Sequence, residues 1–330
     1  MTSDTQCQSA GSGGDLRFLA AVAARHLFPH WSLWLALTIL MALNLFWIGL
    51  EPRFGLALRT VVAMLIVGLG TPLALAYRVR RAGPFDGGIE ALFRLLMVAL
   101  FAGLLTQQIN LFSHLLMSLD MPLMDARLQD WDRALGFSWN GYVQSVGASW
   151  TGRAILLLSY ALIIPPAFLA LVVVPVYRRR YDRVDEVAFL ALVSGLACVT
   201  VSGFLPSYGA WETLSSEQTR RLLGGPFLGD MVAQIKTLRS GAPVAFDVRA
   251  MAGLANFPSY HACLAIIIMW SSRGRWWTAL AGTGAGLAIL AATPVFGGHY
   301  GVDLLGSAVV MAGAILLWRR IGPVLLSGRA

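Results

Sequence analysis

Long apolar runs separated by short polar stretches occupy most of the chain. The runs that are long enough to cross about 30 Å of hydrocarbon lie near residues 31–50, 56–77, 91–118, 152–176, 187–206, 258–272, 275–293 and 301–319. The pattern predicts an all-α fold, a polytopic membrane helical bundle with about eight transmembrane helices. No small-residue cleavage site follows the first run, so we expect it to be retained as a span and not removed as a signal peptide.

Composition supports a membrane setting. Hydrophobic residues make up 57% of the 330 positions and charged residues 13%, whereas a soluble domain carries about twice that charged fraction. The mean hydropathy is +0.67. Cys7, Cys198 and Cys263 are too scattered to suggest a disulfide framework. The sequence contains no zinc-ligand spacing and no Gly-rich nucleotide loop.

Arginine clusters predict the orientation. They lie at 78–81, 178–183, 273–275 and 319–320. In an eight-span arrangement all of them fall on one side together with both termini, and the positive-inside tendency marks that side as cytoplasmic. The net charge of +8 is therefore mostly a topology signal with some attraction to anionic lipid headgroups, and we expect no nucleic-acid partner. The composition, with Lys236 as the only lysine, favours a bacterial inner membrane with the opposite side facing the periplasm, although a Golgi lumen fits the same topology.

Two short polar motifs begin apolar runs near the C-terminus. His299 and Asp303 are four residues apart, so on a helix they share a face. A carboxylate there can accept the imidazole Nδ1–H and leave Nε2 free as a nucleophile. The same pair also fits a simple polar helix cap.

The second motif is Phe257-Pro258-Ser259-Tyr260-His261. Pro258 fits the first turn of a helix, and the Ser259 hydroxyl would stand beside free backbone N–H groups that suit a phosphate. A helical hairpin that turns near 271–275 would return both motifs to the outer side at similar depth. The run 258–272 would be only about 22 Å long, which places the motifs slightly inside the outer leaflet.

The pair Pro258-Ser259-x-His261 and His299-x-x-x-Asp303 resembles the second and third signature motifs of the type 2 phosphatidic acid phosphatase superfamily. The likeness covers roughly residues 150–320. The forms Gly298-His299-Tyr300-x-x-Asp303 and Ala255-Asn256-Phe257-Pro258-Ser259 look closer to its phosphotransferase branch, which includes inositol phosphorylceramide synthases (the aureobasidin-resistance branch) and sphingomyelin synthases.

The resemblance implies a mechanism. His299 would attack phosphorus to form a phosphohistidine, Asp303 would orient it, and His261 would protonate the leaving alkoxide and then deprotonate water or an alcohol. Ser259 would help to hold the phosphoryl oxygens. The resemblance implies neither a metal nor an organic cofactor. We expect three parts: a disordered cytoplasmic N-terminus over 1–30, two extra spans over 31–90, and a six-helix catalytic membrane domain over 91–330, of which only the last is implied by the resemblance.

The chain departs from the phosphatase pattern in its basic residues. The basic first motif is missing, and Thr293 stands where an arginine precedes the nucleophilic histidine. Phosphate binding still needs positive charge, and Arg249 is our first candidate for it, with Lys236 and Arg239 behind it. The departures favour a lipid phosphotransferase that resembles inositol phosphorylceramide synthase, an inositolphosphotransferase. The alternatives are a lipid phosphate phosphatase acting on phosphatidic acid or polyprenyl diphosphate lipids, and a transporter or non-enzymatic scaffold.

Overall fold

A computed structural model describes residues 27–70, 74, 87–217, 219–220, 226–247 and 250–327. The predicted N-terminal tail up to residue 26, the arginines at 78–81 and Arg249 lie outside the described residues. The described part is predominantly helical, which confirms the predicted all-α bundle.

The first half of the bundle begins with α1 (Trp31–Leu50) and α2 (Leu58–Leu65), which continues into a π-helical turn (Ile66–Gly70). Next come α3 (Gly87–Met117), α4 (Asp125–Ala134), α5 (Trp139–Gly147), α6 (Trp150–Leu162) and α7 (Ile164–Tyr177).

The second half contains the long helix α8 (Tyr181–Phe204), the short α9 (Ala210–Leu214) and α10 (Pro226–Arg239). The last three helices are α11 (Tyr260–Ser271), α12 (Trp276–Phe296) and α13 (Gly301–Ser327). Two strands, β1 (Phe54–Leu56) and β2 (Val244–Phe246), pair in parallel.

Among the described residues, five helices are long and apolar enough to cross a membrane, and a sixth span results if α6 and α7 count as one. These two helices were predicted as a single span over 152–176, and they meet at a bend of 43°. Pro165 and Pro166, in the first turn of α7, have no N–H to donate to α6, so the helical hydrogen bonding stops there. The predicted span 258–272 is the 12-residue α11, and the predicted span 56–77 extends beyond the described part of α2.

The connections predicted to share the outer side contact one another. The β1–β2 pairing joins the segment after α1 to the segment before α11, and the Met124 N–H donates to the Pro206 carbonyl at 2.8 Å. On the opposite face the arginine-bearing ends of α8, α11 and α13 meet around one cavity. The two sets of loops are therefore separated by the length of the bundle, as the alternating pattern of arginines requires.

Polar side chains on α3 bond to residues outside this helix as well as within it. Asn110 donates to the Met251 carbonyl at 3.4 Å, and the His114 ring bonds the Asn110 carbonyl at 2.8 Å and the Gln234 side chain at 2.9 Å. One helical turn earlier, the Asn44 amide of α1 donates to the Gln108 side chain at 2.9 Å. Inside a bilayer, water is not present to replace such hydrogen bonds, so the bonds hold α3 against its neighbours.

Candidate active site

Ser259 caps the N-terminus of α11. Its Oγ accepts from the Ala262 N–H at 3.4 Å, which satisfies one of the free donors of the first turn. Pro258 therefore precedes the cap and does not occupy the first helical turn as predicted. Ser259 is fully buried, and the Ser307 hydroxyl of α13 donates to its carbonyl at 2.8 Å. The cap of α11 is thus tied directly to the helix that begins beside His299.

Both ring nitrogens of His299 form hydrogen bonds. Nδ1 lies 2.9 Å from Asp303 Oδ2, and Nε2 lies 3.0 Å from Ser259 Oγ. The Tyr300 N–H donates to the same Asp303 oxygen at 3.0 Å. A carboxylate that accepts from Nδ1 fixes the tautomer with a lone pair on Nε2, and Ser259 then donates its hydroxyl proton to that nitrogen. The Nε2 atom of His299 therefore points at the cap of α11.

His261 reaches the same region through Tyr160 of α6. Its ring stacks on the Tyr160 ring with centroids 4.6 Å apart and planes 24° from parallel. Gly297 marks where the two motifs meet, since a Cβ there would lie 3.0 Å from the Tyr160 hydroxyl and 2.7 Å from His299 Cδ2. Tyr160 thus contacts one histidine and lies next to the other, and a side chain at position 297 would push His299 out of place.

Asp132 of α4 caps the helix that carries Asp303. Its two oxygens accept from the Gly301 N–H at 2.9 Å and the Val302 N–H at 2.7 Å. A carboxylate is favoured at a helix N-terminus because it complements the free donors and the dipole. Burial raises the pKa of the Asp132 carboxyl, while the two backbone donors oppose that rise. Because Asp132 already accepts from the Gly301 and Val302 N–H groups, these two donors at the start of α13 are not available to another acceptor.

Asp125, seven residues before Asp132 on α4, organises the loop that covers the site. It accepts from the Ser207 hydroxyl at 2.8 Å and the Gly209 N–H at 3.1 Å, and the Tyr300 hydroxyl donates to it at 3.1 Å. Gly209 has φ +89°, and a Cβ there would lie 2.9 Å from the Gly298 carbonyl. The loop can therefore approach the backbone beside His299 only with glycine at this position.

The geometry pairs a buried His–Asp couple with a serine at a helix N-terminus. A family model described as PAP2 superfamily matches residues 126–317, more than half of the chain. The chain belongs to the PAP2 superfamily. Neither a search of curated proteins nor a search of solved structures returns a significant match. Membership of this superfamily makes the protein a membrane enzyme of the lipid phosphatase and phosphotransferase kind.

The predicted basic residues of this PAP2 protein do not converge on His299 in the described part of the chain. Lys236 pairs with Glu212 at 2.9 Å, and Arg239 pairs with Asp120 at 2.8 Å. Thr293 carries no charge, and its hydroxyl donates to the Ile289 carbonyl at 2.8 Å. Arg249 lies outside the described residues, and its role in binding phosphate remains a prediction.

The structure brings Ser259, His299 and Asp303 into direct contact and places His261 beside them through Tyr160. Sequence reasoning missed Tyr160, Asp125 and Asp132 as parts of this PAP2 site. The spacing of seven residues between the two aspartates does put them on one helical face, but nothing in the sequence indicates which partner that face meets.

Replacing Asp132 with asparagine should lower turnover about tenfold and destabilise the fold by about 2 kcal/mol, since a charged acceptor of two buried N–H groups is lost. An amide has one acceptor oxygen, so its NH2 group would face one of the two donors. Turnover in reconstituted membranes and thermal unfolding would measure both effects.

Asp130→Asn is the matched control. Asp130 belongs to the same helix, but its side chain is 67% exposed and pairs with Arg133 at the surface, where ion pairs contribute little. If the Asp130 and Asp132 variants lost activity equally, capping by Asp132 would not be what positions α13.

Proposed function

We propose that this PAP2 protein is a lipid phosphotransferase that passes a phosphoryl-linked headgroup from one lipid to an alcohol through a phosphohistidine at His299. The observation that carries the proposal is the fixed His299 side chain in a site almost closed to solvent. His299 is 4% exposed, and Ser259 and Asp303 are fully buried. A covalent intermediate that must await an alcohol needs such protection, because water would otherwise hydrolyse it.

In the first step the lone pair on His299 Nε2 attacks phosphorus. The bond from phosphorus to the leaving lipid oxygen breaks, the electron pair stays on that oxygen, and His261 supplies the proton. The imidazole becomes positively charged while its Nδ1–H still points at Asp303, at 2.9 Å. The buried carboxylate therefore stabilises the charge that the reaction creates.

In the second step the acceptor alcohol attacks the same phosphorus. His261 takes the alcohol proton, the bond between phosphorus and Nε2 breaks, and His299 returns to its neutral state. Ser259 and the N–H groups at the start of α11 would hold the non-bridging oxygens, because a helix N-terminus suits a phosphate. We include Arg249 as the cation of this site, because it lies ten residues before Ser259 in the sequence.

The acceptor decides between this reaction and a lipid phosphate phosphatase, since water and an alcohol would use the same residues. The test uses purified protein in nanodiscs with a panel of phospholipids, with and without inositol, ceramide or diacylglycerol. We expect a new phospholipid that requires the added alcohol and disappears in His299→Ala, measured by mass spectrometry. Release of phosphate without any new lipid would instead identify a phosphatase.

A further inference from the structure

A cavity of about 680 Å³ opens at the end of the bundle opposite His299. It lies where α8 begins and where α11 and α13 reach the other membrane face. Four arginines line it, together with two tryptophans: Arg180, Arg183, Arg273, Arg319, Trp270 and Trp318. None of these residues belongs to the candidate active site, and none of them has a part in the proposed reaction.

The two carboxylates of the cavity, Asp182 and Glu186, are already engaged. Glu186 is 3% exposed and accepts from Trp270 Nε1 at 2.8 Å and from Arg273 at 2.6 Å. Arg183 lies 3.3 Å from its other oxygen, and Arg180 pairs with Asp182 at 3.3 Å. The four arginines therefore exceed the two acids, and the cavity carries an excess of positive charge.

Arg319 provides the cation that these acids do not neutralise. Its guanidinium lies 5.0 Å from the centroid of the Trp270 ring, and that of Arg273 lies 4.0 Å from the same ring. Within the described part of the chain Arg319 forms no ion pair. Arg273 is neutralised by Glu186 at 2.6 Å, whereas Arg319 remains a cation on the cavity wall, where it attracts an anion.

We propose that this cavity binds the phosphate of an anionic phospholipid headgroup. The planar guanidinium fork matches phosphate oxygens, and basic pockets between transmembrane helices bind anionic headgroups at the membrane surface. Leu316, about one helical turn nearer the membrane centre than Arg319 on α13, is 58% exposed, and the adjacent Leu317 is 43% exposed. They offer an apolar surface to the acyl chains, which a free phosphate ion would not use.

The test compares Arg319→Gln with Arg320→Gln in the full-length protein carrying His299→Ala, which prevents turnover of the probe lipid. Both arginines are exposed neighbours on α13, but Arg320 does not line the cavity. The probes are phosphatidylglycerol and phosphatidylcholine, titrated in detergent micelles and counted on the protein by native mass spectrometry.

We expect Arg319→Gln to bind phosphatidylglycerol about fivefold more weakly, the effect of one arginine at the membrane surface, and Arg320→Gln to bind it as the parent does. Phosphatidylcholine should bind weakly to all three proteins. Equal losses in the two variants, or equal binding of both lipids by the parent, would overturn the proposal. A separate titration with inorganic phosphate distinguishes the source of the anion. Phosphate that binds with the same dependence on Arg319 and displaces the lipid would assign the site to a free anion and overturn the lipid assignment.

Discussion

Replacing His299 with alanine is expected to abolish turnover, with a loss of roughly 10⁴-fold or more, the scale found when a covalent nucleophile is removed. The reason is geometric. The Nε2 atom that we propose as nucleophile lies 3.0 Å from Ser259 Oγ, and Asp303 fixes the opposite side of the ring. Among the described side chains, no second imidazole is hydrogen-bonded to a carboxylate beside Ser259. The measurement is the rate of lipid conversion in nanodiscs, followed by mass spectrometry.

His114→Gln is the matched control for this prediction. His114 is also buried, at 3% exposed, and it also makes two hydrogen bonds, to Asn110 and Gln234. It links α3 to its neighbours and does not contact the site. We expect this variant to retain most of its activity even if its thermal stability falls. A His299→Ala protein that is folded and still converts lipid at the parent rate would rule out the phosphohistidine route.

Much of the fold follows from the sequence because the bilayer imposes simple rules. A span must satisfy its own backbone and be long and apolar, so helices appear at the predicted runs. The predictions were wrong at prolines, where the backbone cannot continue a helix although the side chains are apolar. Pro165 and Pro166 split one predicted span into α6 and α7, and Pro258 stands before the cap of α11 and not within its first turn. The parallel pairing of β1 with β2 was also not predicted, since it joins segments about 190 residues apart.

The contacts of the candidate site likewise fall into those that the sequence predicts and those that it does not. The His299–Asp303 contact is local, four residues along one helix, and the contact with Ser259 follows from a hairpin that returns to its starting side. Tyr160 and Asp132 reach the site from α6 and α4, over distances in sequence of 101 and 169 residues. Spacing along the chain carries no information about such contacts. The polar residues of a short amphipathic helix can equally face solvent, and only the packing of α4 against α13 distinguishes Asp132 from its exposed neighbour Asp130.

Replacing His261 with glutamine should slow conversion of a natural lipid by about 10²- to 10⁴-fold, the usual contribution of a general acid–base catalyst. The loss should depend on the leaving group. A lipid alkoxide needs a proton as it departs, whereas the aryloxide of an activated aryl phosphodiester leaves without one. With the aryl substrate, therefore, the first step should survive in His261→Gln while the second, which needs His261 to deprotonate the alcohol, should stall.

The consequence is an accumulated phosphohistidine, which can be detected as an acid-labile mass increase on the peptide that contains His299. This result separates the role of His261 from that of His299, because His299→Ala should give no covalent species with either substrate. The same result also distinguishes a chemical role of His261 from a role in packing. His261 stacks on Tyr160 with ring centroids 4.6 Å apart. Tyr160→Phe keeps this ring and is the control for the contact. We expect it to convert both substrates nearly as the parent does.

If His261→Gln lost activity on both substrates equally and formed no covalent species, His261 would serve to pack Tyr160 against Gly297 and His299. The proton would then have to come from another group. The leaving-group dependence decides between these two roles because a residue that only shapes the site cannot distinguish an alkoxide from an aryloxide.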